Sequence, residues 1–442
     1  MVGGGGIGRR MALLAPLALS GCGLWDTWFG EHKTPLPGKR EPIVGSRGAL
    51  RPDEGVGKVV LPPAVRNAAW PQAGGNPAHF MGHLAAGERL VEAWSANIGA
   101  GGGYRRKIMA QPVAADGIVY VMDSDAVVSA FDVGNGGRVW RFDTKKDEDD
   151  STNVGGGLAI DQGTLYAVNG LGELVALDAA KGVMKWRSDF HAPARSAPTV
   201  VEGRVFLTTI EDRLVALTTD NGRQLWDHQA SNPSTSVLGV AAPAFANGLV
   251  VAGFGSGELA AIRADGGTVA WTDNLAANIV GGGLAEFSAI RGLPVITNGR
   301  VYAISMGGLM VANDLPTGRR LWERQVGGED HPWVAGDWVF IVSSQQRIAA
   351  LTRDDGRVAW SADLPRWEDP DKKKDPITWY GPLLVGDRLV VAGTSEMALA
   401  VSPYTGDILG QQKLSGNASL GPIAVADTVF VVTDDGRLLA LR

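Results

Sequence analysis

Few side chains in the sequence could hold a metal ion or attack a substrate. Six histidines are scattered through the 442 residues, and His79 and His83 stand four apart, a spacing used by zinc ligands on helices. No Glu lies between them, and the segment offers no third ligand at a motif spacing. The surrounding Gly, Pro and Asn residues indicate a loop. We therefore predict no metal site.

Other catalytic patterns are missing as well. The sequence contains no Cys-x-x-Cys-His motif for a c-type haem and no Gly-x-Ser-x-Gly elbow for a serine hydrolase. The triple glycines Gly101–Gly103, Gly155–Gly157 and Gly281–Gly283 precede predicted strands rather than a helix N-terminus, which would bind a phosphate. We predict no catalytic and no cofactor-binding residues, and hence a protein that is not an enzyme and needs no cofactor.

The single cysteine, Cys22, carries the clearest chemical signal. Arg9 and Arg10 precede an apolar run, residues 11–19, that is too short to span a bilayer and is typical of a signal peptide. Residues 19–22, Leu-Ser-Gly-Cys, resemble the lipobox of bacterial lipoproteins. That resemblance implies a diacylglyceryl thioether on Cys22, with acyl chains such as palmitate, and makes Cys22 the mature N-terminus. The absence of Asp after Cys22 implies sorting to the outer membrane.

Charge and composition indicate a tethered domain without a nucleic-acid partner. The formal net charge is −6, and no basic stripe is present. Residues 22–65 are rich in Pro, Gly and charged residues, which is typical of a flexible linker. The predicted organisation is a lipoprotein signal peptide at 1–21, a lipidated flexible tether at 22–65 and one folded domain at 66–442.

One phrase repeats through the folded domain: a Gly followed by a Trp four residues later. Successive copies are 38 to 51 residues apart, a period that indicates a solenoid, a propeller or another repeat array. A seventh copy, Gly406 and Gly410, keeps the spacing and lacks the Trp. The complete pairs are Gly136/Trp140, Gly182/Trp186, Gly222/Trp226, Gly267/Trp271, Gly318/Trp322 and Gly356/Trp360.

Each repeat consists of short apolar runs separated by tight turns, without helical periodicity. The clearest unit, residues 198–226, contains about four such runs, the size of one antiparallel propeller blade. The last unit, residues 423–442, lacks a fourth strand, and an unpaired strand ending at Trp94 precedes the first unit. We predict an all-β, eight-bladed β-propeller that this N-terminal strand closes, with seven blades as the alternative.

The repeated Trp residues are predicted to pack between neighbouring blades rather than to bind a ligand. A four-stranded sheet alone is marginal in water, and a large apolar ring between two sheets supplies the missing burial. The predicted structural residues are Trp94, Trp140, Trp186, Trp226, Trp271, Trp322 and Trp360.

The repeat at residues 172–186, Gly-Glu-Leu-Val-Ala-Leu-Asp-Ala-Ala-Lys-Gly-Val-Met-Lys-Trp, resembles that of pyrroloquinoline-quinone (PQQ) dehydrogenase propellers. Those enzymes carry a vicinal cysteine pair and calcium ligands over the central channel, and a chain with Cys22 alone cannot form that disulfide. The lipobox, the tether and an eight-bladed propeller of this repeat are together similar to the BamB family of outer-membrane assembly lipoproteins.

The BamB resemblance implies a non-catalytic scaffold that binds the periplasmic POTRA domains of BamA, the barrel-inserting protein. It further implies other assembly-complex lipoproteins as partners, unfolded outer-membrane proteins as clients, and a lipid anchor that holds the propeller in the periplasm. The family's contact loops match residues 236–240 and 285–291. The family pattern has an Arg in the first segment and acidic residues in the second, whereas this sequence has Leu238, Ala289 and Arg291 near those positions.

The partner-binding residues predicted from these segments are Val237, Leu238, Glu286, Phe287 and Arg291. Exposed apolar loop residues such as Val237, Leu238 and Phe287 are suited to anchor a protein partner. Two other functions remain open: a PQQ-dependent periplasmic dehydrogenase, and an envelope propeller that binds another protein or a cell-wall sugar.

Overall fold

The computed structural model describes residues 50–87, 89–103, 106–146, 153–231, 239, 241–276 and 288–442. Within the unit Ser46–Arg442, these residues form short β-strands joined by turns. None of them belongs to a helix that could cross a membrane. The predicted signal peptide and Cys22 lie outside the described residues.

The strands form eight antiparallel sheets of four strands, which we number as blades 1–8 in chain order. β1 is Glu92–Asn97; blade 1 contains β2 (Val113–Ala115), β3 (Ile118–Met122), β4 (Val127–Asp132) and β5 (Arg138–Asp143); blade 2 contains β6 (Gly157–Asp161), β7 (Thr164–Val168), β8 (Glu173–Asp178) and β9 (Met184–Asp189); blade 3 contains β10 (Thr199–Val201), β11 (Arg204–Thr208), β12 (Arg213–Thr218) and β13 (Gln224–Gln229); blade 4 contains β14 (Ala244–Ala246), β15 (Leu249–Gly253), β16 (Glu258–Arg263) and β17 (Val269–Asn274). Blade 5 contains β18 (Val295–Thr297), β19 (Arg300–Ile304), β20 (Met310–Asp314) and β21 (Arg320–Arg324); blade 6 contains β22 (Trp333–Ala335), β23 (Trp338–Val342), β24 (Arg347–Thr352) and β25 (Val358–Asp363); β26 (Trp367–Asp369) and β27 (Lys374–Pro376) form a hairpin; blade 7 contains β28 (Trp379–Val385), β29 (Arg388–Gly393), β30 (Met397–Val401) and β31 (Ile408–Lys413); blade 8 contains β32 (Ile423–Val425), β33 (Thr428–Thr433), β34 (Arg437–Leu441) and β1.

The two ends of the propeller chain meet in blade 8. β1 pairs antiparallel with β34, and Trp94 stands opposite Ala440. Val91 and Arg442 exchange two backbone hydrogen bonds of 2.8 and 2.9 Å beside this pair. The prediction of eight blades, closed by the N-terminal strand, is therefore confirmed, and the alternative of seven blades is wrong.

Every blade places the same three positions side by side across its second, third and fourth strands. In blade 2, Tyr166 pairs with Ala176, which in turn pairs with Trp186. The two rings lean toward each other across the small Ala, with centroids 6.0 Å apart. Six blades bring an aromatic ring against the Trp in this way, at centroid distances of 5.7–6.3 Å that are usual for aromatic pairs. We call this arrangement the aromatic–Ala–Trp register.

The repeated Gly seats the Trp ring of the preceding blade. Gly182 has a φ of +67°, and a Cβ built on it would lie 2.5 Å from the ring of Trp140. A larger residue is disfavoured on both counts, because its backbone would be strained and the ring already occupies the space. The indole N–H of Trp140 donates to the carbonyl of Ala179 in blade 2 at 2.9 Å. The Gly–Trp phrase of the sequence thus corresponds to a contact between consecutive blades.

Blade 7 lacks this arrangement, and the ring closure explains why. Its register contains Val390, Ala400 and Gly410, without either ring. The next blade round the ring is blade 8, where the chain end separates β34 from β1, so no turn joins these strands. A Trp at position 410 would therefore have no glycine seat, which accounts for its loss from the seventh repeat.

Residues 67–84, which we call the central segment, run once round the centre of the ring. They hydrogen-bond to every blade in spatial order, so a single stretch of chain ties all eight sheets together. The bonds join Asn67 to Ala424 (blade 8), Trp70 to Ala114 (blade 1), Pro71 to Ile160 (blade 2), Gln72 to Val200 (blade 3), Pro77 to Phe245 (blade 4), Ala78 to Ile296 (blade 5), Gly82 to Trp333 (blade 6) and Leu84 to Leu384 (blade 7).

Residues 50–65, part of the predicted flexible tether, lie against blades 5 and 6. Asp53 accepts a 2.7 Å hydrogen bond from the backbone N–H of Val358 and forms an ion pair of 2.6 Å with Arg324. Leu50 is buried in the apolar cluster between these blades. The described part of the segment is packed because it satisfies a free strand edge and buries apolar surface. Residues 22–49 lie outside the described residues.

The aromatic–Ala–Trp register predicts a difference between blades 2 and 7. Ala176→Leu inserts a branched side chain between two rings and should lower the free energy of unfolding by about 2 kcal/mol, the usual cost of overpacking. Ala400→Leu is the matched control, because its cross-strand neighbours lack both rings, and it should cost less than about 1 kcal/mol. Urea unfolding followed by Trp fluorescence measures both, and equal losses would contradict the role of the register.

Candidate partner-binding face

Residues that immediately precede the inner strands of seven blades meet at a cavity in the centre of the ring. Its volume is about 130 Å³. Both predicted partner-binding segments border it, because they precede β14 and β18. Ala73 of the central segment also lines the cavity. The charged and titratable residues of its wall are Arg195, Arg291, Glu329, Asp330 and His331.

Gly239 and Arg291 are the described residues of the two predicted segments that line the cavity. Arg291 Nη1 forms a 2.8 Å ion pair with Glu329 Oε2, and both side chains are partly exposed. A Cβ built on Gly239 would lie 3.6 Å from Arg291 Nη2, and φ at this glycine is +90°. Gly239 and Arg291, one described residue from each segment, therefore lie at the same cavity.

The other predicted site residues divide between core and undescribed positions. Ala289 is buried, and its carbonyl accepts a 2.9 Å hydrogen bond from Met306 N. This position therefore offers no surface to a partner. Four predicted partner-binding residues lie outside the described part of the chain, so their role stays a prediction: Val237, Leu238, Glu286 and Phe287. The seven predicted structural tryptophans lie on outer strands, away from the cavity.

Burial sets the protonation of the cavity wall. It raises the pKa of Asp330 from 3.8 to about 7, although the carboxylate accepts a 3.0 Å hydrogen bond from Gly381 N. It lowers the pKa of His331 to about 4, so this imidazole is neutral at pH 7. His331 Nε2 and Arg195 Nε have no hydrogen-bond partner among the described residues. These two nitrogens are buried, whereas the partly exposed Arg291 and Glu329 present charge at the cavity.

The sequence carried a positional signal for the wall residues that were not predicted. Arg195 and Glu329 stand three residues before the prolines that open their blades, Pro198 and Pro332. Arg291 stands at the same distance from Pro294. A search for charged residues at this offset finds these three wall residues and misses Asp330 and His331, which stand closer to Pro332.

The cavity and the histidines give little support to cofactor or metal chemistry. Pockets for drug-sized ligands have volumes of roughly 300–1,000 Å³, well above that of this cavity. His79 Nδ1 lies 2.8 Å from Pro294 O, and His83 Nδ1 lies 2.8 Å from Pro62 O, so the two rings contact different backbone carbonyls. In the part of the chain that the structure describes, no three metal-ligating side chains form a cluster.

Comparison with known proteins finds relatives named as BamB. The family model described as outer membrane protein assembly factor BamB matches residues 124–362. The BamB of Salmonella typhimurium is 28% identical over 355 residues, covering 79% of this chain and 88% of that protein. The BamB of Escherichia coli is 27% identical over 357 residues, with the same coverage of both chains.

Solved structures share the fold. The crystal structure of BamB from Moraxella catarrhalis superposes with a TM-score of 0.68 at 19% identity, covering 80% of this chain and 99% of that chain. Quinohemoprotein alcohol dehydrogenase from Comamonas testosteroni gives a TM-score of 0.65 at 16% identity, covering 86% and 81%. At these identities the likeness shows the propeller alone, since one fold hosts unrelated functions.

The buried Asp330 predicts a pH-dependent difference in stability. Because its pKa is higher in the folded chain, its contribution to stability is complete below pH 3.8 and is lost as the pH rises to about 7. Asn stays neutral, so the stability of Asp330→Asn relative to the unsubstituted protein should rise over that range and level off above it. Thermal unfolding at a series of pH values measures this, and a difference that stays constant would contradict the raised pKa.

Proposed function

The chain belongs to the family of the outer-membrane protein assembly factor BamB, and we propose that it is a non-catalytic scaffold of outer-membrane β-barrel assembly. In this proposal the propeller stands in the periplasm, anchored to the outer membrane by a lipid on Cys22. It binds the periplasmic POTRA domains of BamA, works beside other assembly lipoproteins and assists the insertion of unfolded outer-membrane proteins.

The observation that supports the proposal is that described residues of two inter-blade segments line the same cavity at the centre of the ring. Gly239 and Arg291 belong to different loops, yet both line the cavity, and a Cβ built on Gly239 would lie 3.6 Å from Arg291 Nη2. A rigid ring that presents adjacent loops on one face is well suited to hold a folded partner domain, because little order has to be created on binding. Arg291 and Glu329 add charge at the centre of that face.

A quinone-dependent dehydrogenase is the less favoured function. The fold likeness to quinohemoprotein dehydrogenases does not extend to a cysteine pair, since Cys22 is the single cysteine. The central segment also occupies the middle of the ring, where its bonds to all eight inner strands would have to be broken to admit a larger ligand. The relatives identified by sequence are named as assembly factors.

A pull-down with the periplasmic domains of BamA tests the proposal. The full chain in detergent micelles should retain these domains, and Leu238→Asp combined with Phe287→Asp should weaken binding by about tenfold or more, as expected for apolar anchors. Arg291→Glu should weaken it as well, because it reverses the charge beside Glu329. Leu225→Asp, an exposed position on the outer strand of blade 3, is the control and should bind normally. Failure to associate, or equal binding by all variants, would contradict the proposed site.

A further inference from the structure

The outer strand of blade 7, β31, is unusually free of charge. Each of the eight blades ends in an outer strand, and edges of this kind are normally protected by charged side chains. Only β25 and β31 have no charged residue among their first five positions, which read Val-Ala-Trp-Ser-Ala and Ile-Leu-Gly-Gln-Gln. In these two outer strands the charged residue, Asp363 or Lys413, stands only at the last position.

The first of these strands is covered by the chain itself. Val358 of β25 donates its backbone N–H to the Asp53 carboxylate at 2.7 Å, and its carbonyl accepts from Asp53 N at 2.8 Å. Ser361 Oγ donates to Leu50 O at 2.6 Å. A segment from outside the blade thus hydrogen-bonds along the edge of blade 6, which shows that such an edge in this protein binds another stretch of chain.

The second strand is uncovered among the described residues. β31 is the last strand of its sheet. Ile408 stands two residues before Gly410, just as Val358 stands two residues before Trp360 in blade 6. Ile408 is 49% exposed and Leu409 is 60% exposed. The first five residues of β31 carry no charge, and such an edge presents both backbone hydrogen-bonding groups and side chains to an incoming segment.

A space for an aromatic ring lies beside this edge. The central Ala of the register is fully buried in the seven blades that carry the Trp, whereas Ala400 is partly exposed. A Cβ built on Gly410 has no atom within 4 Å. In the other blades an aromatic ring leans across the small residue of the neighbouring strand. An aromatic residue on a fifth strand would lean across Gly410 in the same way.

From these observations, and resting on the proposed function, we propose that β31 docks an extended strand of an unassembled outer-membrane β-barrel protein, with an aromatic side chain over Gly410. Strands of such proteins alternate apolar and polar residues and carry aromatic residues near both membrane interfaces. Their apolar side chains match the exposed Ile408 and Leu409. Backbone hydrogen bonds supply affinity for many sequences, and the space at Gly410 selects for an aromatic ring.

Fluorescence anisotropy with a labelled peptide tests the proposal on the full chain in detergent micelles. The probe is a soluble peptide of about ten residues, the length of a membrane-spanning strand, that alternates Val and Thr around one central Tyr. Leu409→Lys should weaken binding by about tenfold, because it places a charge in the apolar contact. Gly410→Trp should weaken it comparably, because its own ring fills the space. Val139→Lys is the matched control at the same register of blade 1, where Val139 is 50% exposed, and it should bind like the unsubstituted protein.

Three results would overturn the proposal. The first is equal peptide affinity for Leu409→Lys and Val139→Lys. The second is unchanged affinity when Ser replaces the Tyr of the probe, because the space at Gly410 would then not select for an aromatic ring. The third is light scattering that shows a dimer which Leu409→Lys dissociates, since the edge would then bind a second copy of this chain. Thermal unfolding confirms that each variant is folded.

The pull-down with POTRA domains separates this inference from the proposed function. Leu409→Lys should retain those domains fully, because blade 7 lies apart from the loops that precede β14 and β18. If the protein retains the POTRA domains but does not bind the peptide, only the proposal of a docking edge on β31 is contradicted. If the protein binds the peptide but does not retain the POTRA domains, the proposed partner is contradicted and the docking edge on β31 is supported.

Discussion

The ring depends on a single repeated contact, a Trp ring that lies across an Ala of its own blade and on a Gly of the next blade. Burial of an aromatic side chain removes 150–250 Å² from water, which at about 25 cal/mol per Å² contributes roughly 4 kcal/mol or more. The contact occurs at seven of the eight interfaces between blades. Each of its three positions admits few residue types, so the sequence has to repeat Gly, Ala and Trp at fixed offsets.

This constraint explains how much of the fold could be predicted from the sequence. The Gly–Trp period counts the blades, and the unpaired strand at Trp94 identifies the closure, because both depend on contacts at constant sequence separation. The central segment has no such period. Trp70 and Leu84, for example, each hydrogen-bond to a strand far away in the chain. Because the segment has a different partner in each of the eight blades, its sequence shows no repeating pattern. The contacts of residues 50–65 with the blades were also not predicted, because the composition of this segment is typical of a linker and Leu50 and Asp53 do not stand out in it.

The candidate site was predicted only in part. The loop residues carried over from family resemblance fall on the inter-blade segments, and the structure shows that such segments meet at the centre of the ring. Which side chains face the cavity depends on how each loop turns into its inner strand, and Ala289 turns into the core while Arg291 turns toward Glu329. Two residues of one segment, only two positions apart, thus lie in opposite environments, which spacing alone does not reveal.

Ring closure and the uncharged outer strand of blade 7 are two consequences of the same break in the chain. A Trp on an outer strand requires a Gly-containing turn in the next blade, and blade 8 lacks that turn because the chain end separates β34 from β1. A Trp at position 410 would therefore have no glycine to lie on, and Gly410 stands there instead. As a result, β31 lacks the Trp contact that the other outer strands make with the next blade. A propeller closed within a single uninterrupted blade would have a Trp at every interface. Closure by an added N-terminal strand leaves one outer strand without the Trp contact. That strand always belongs to the blade before the closing blade, which here is blade 7.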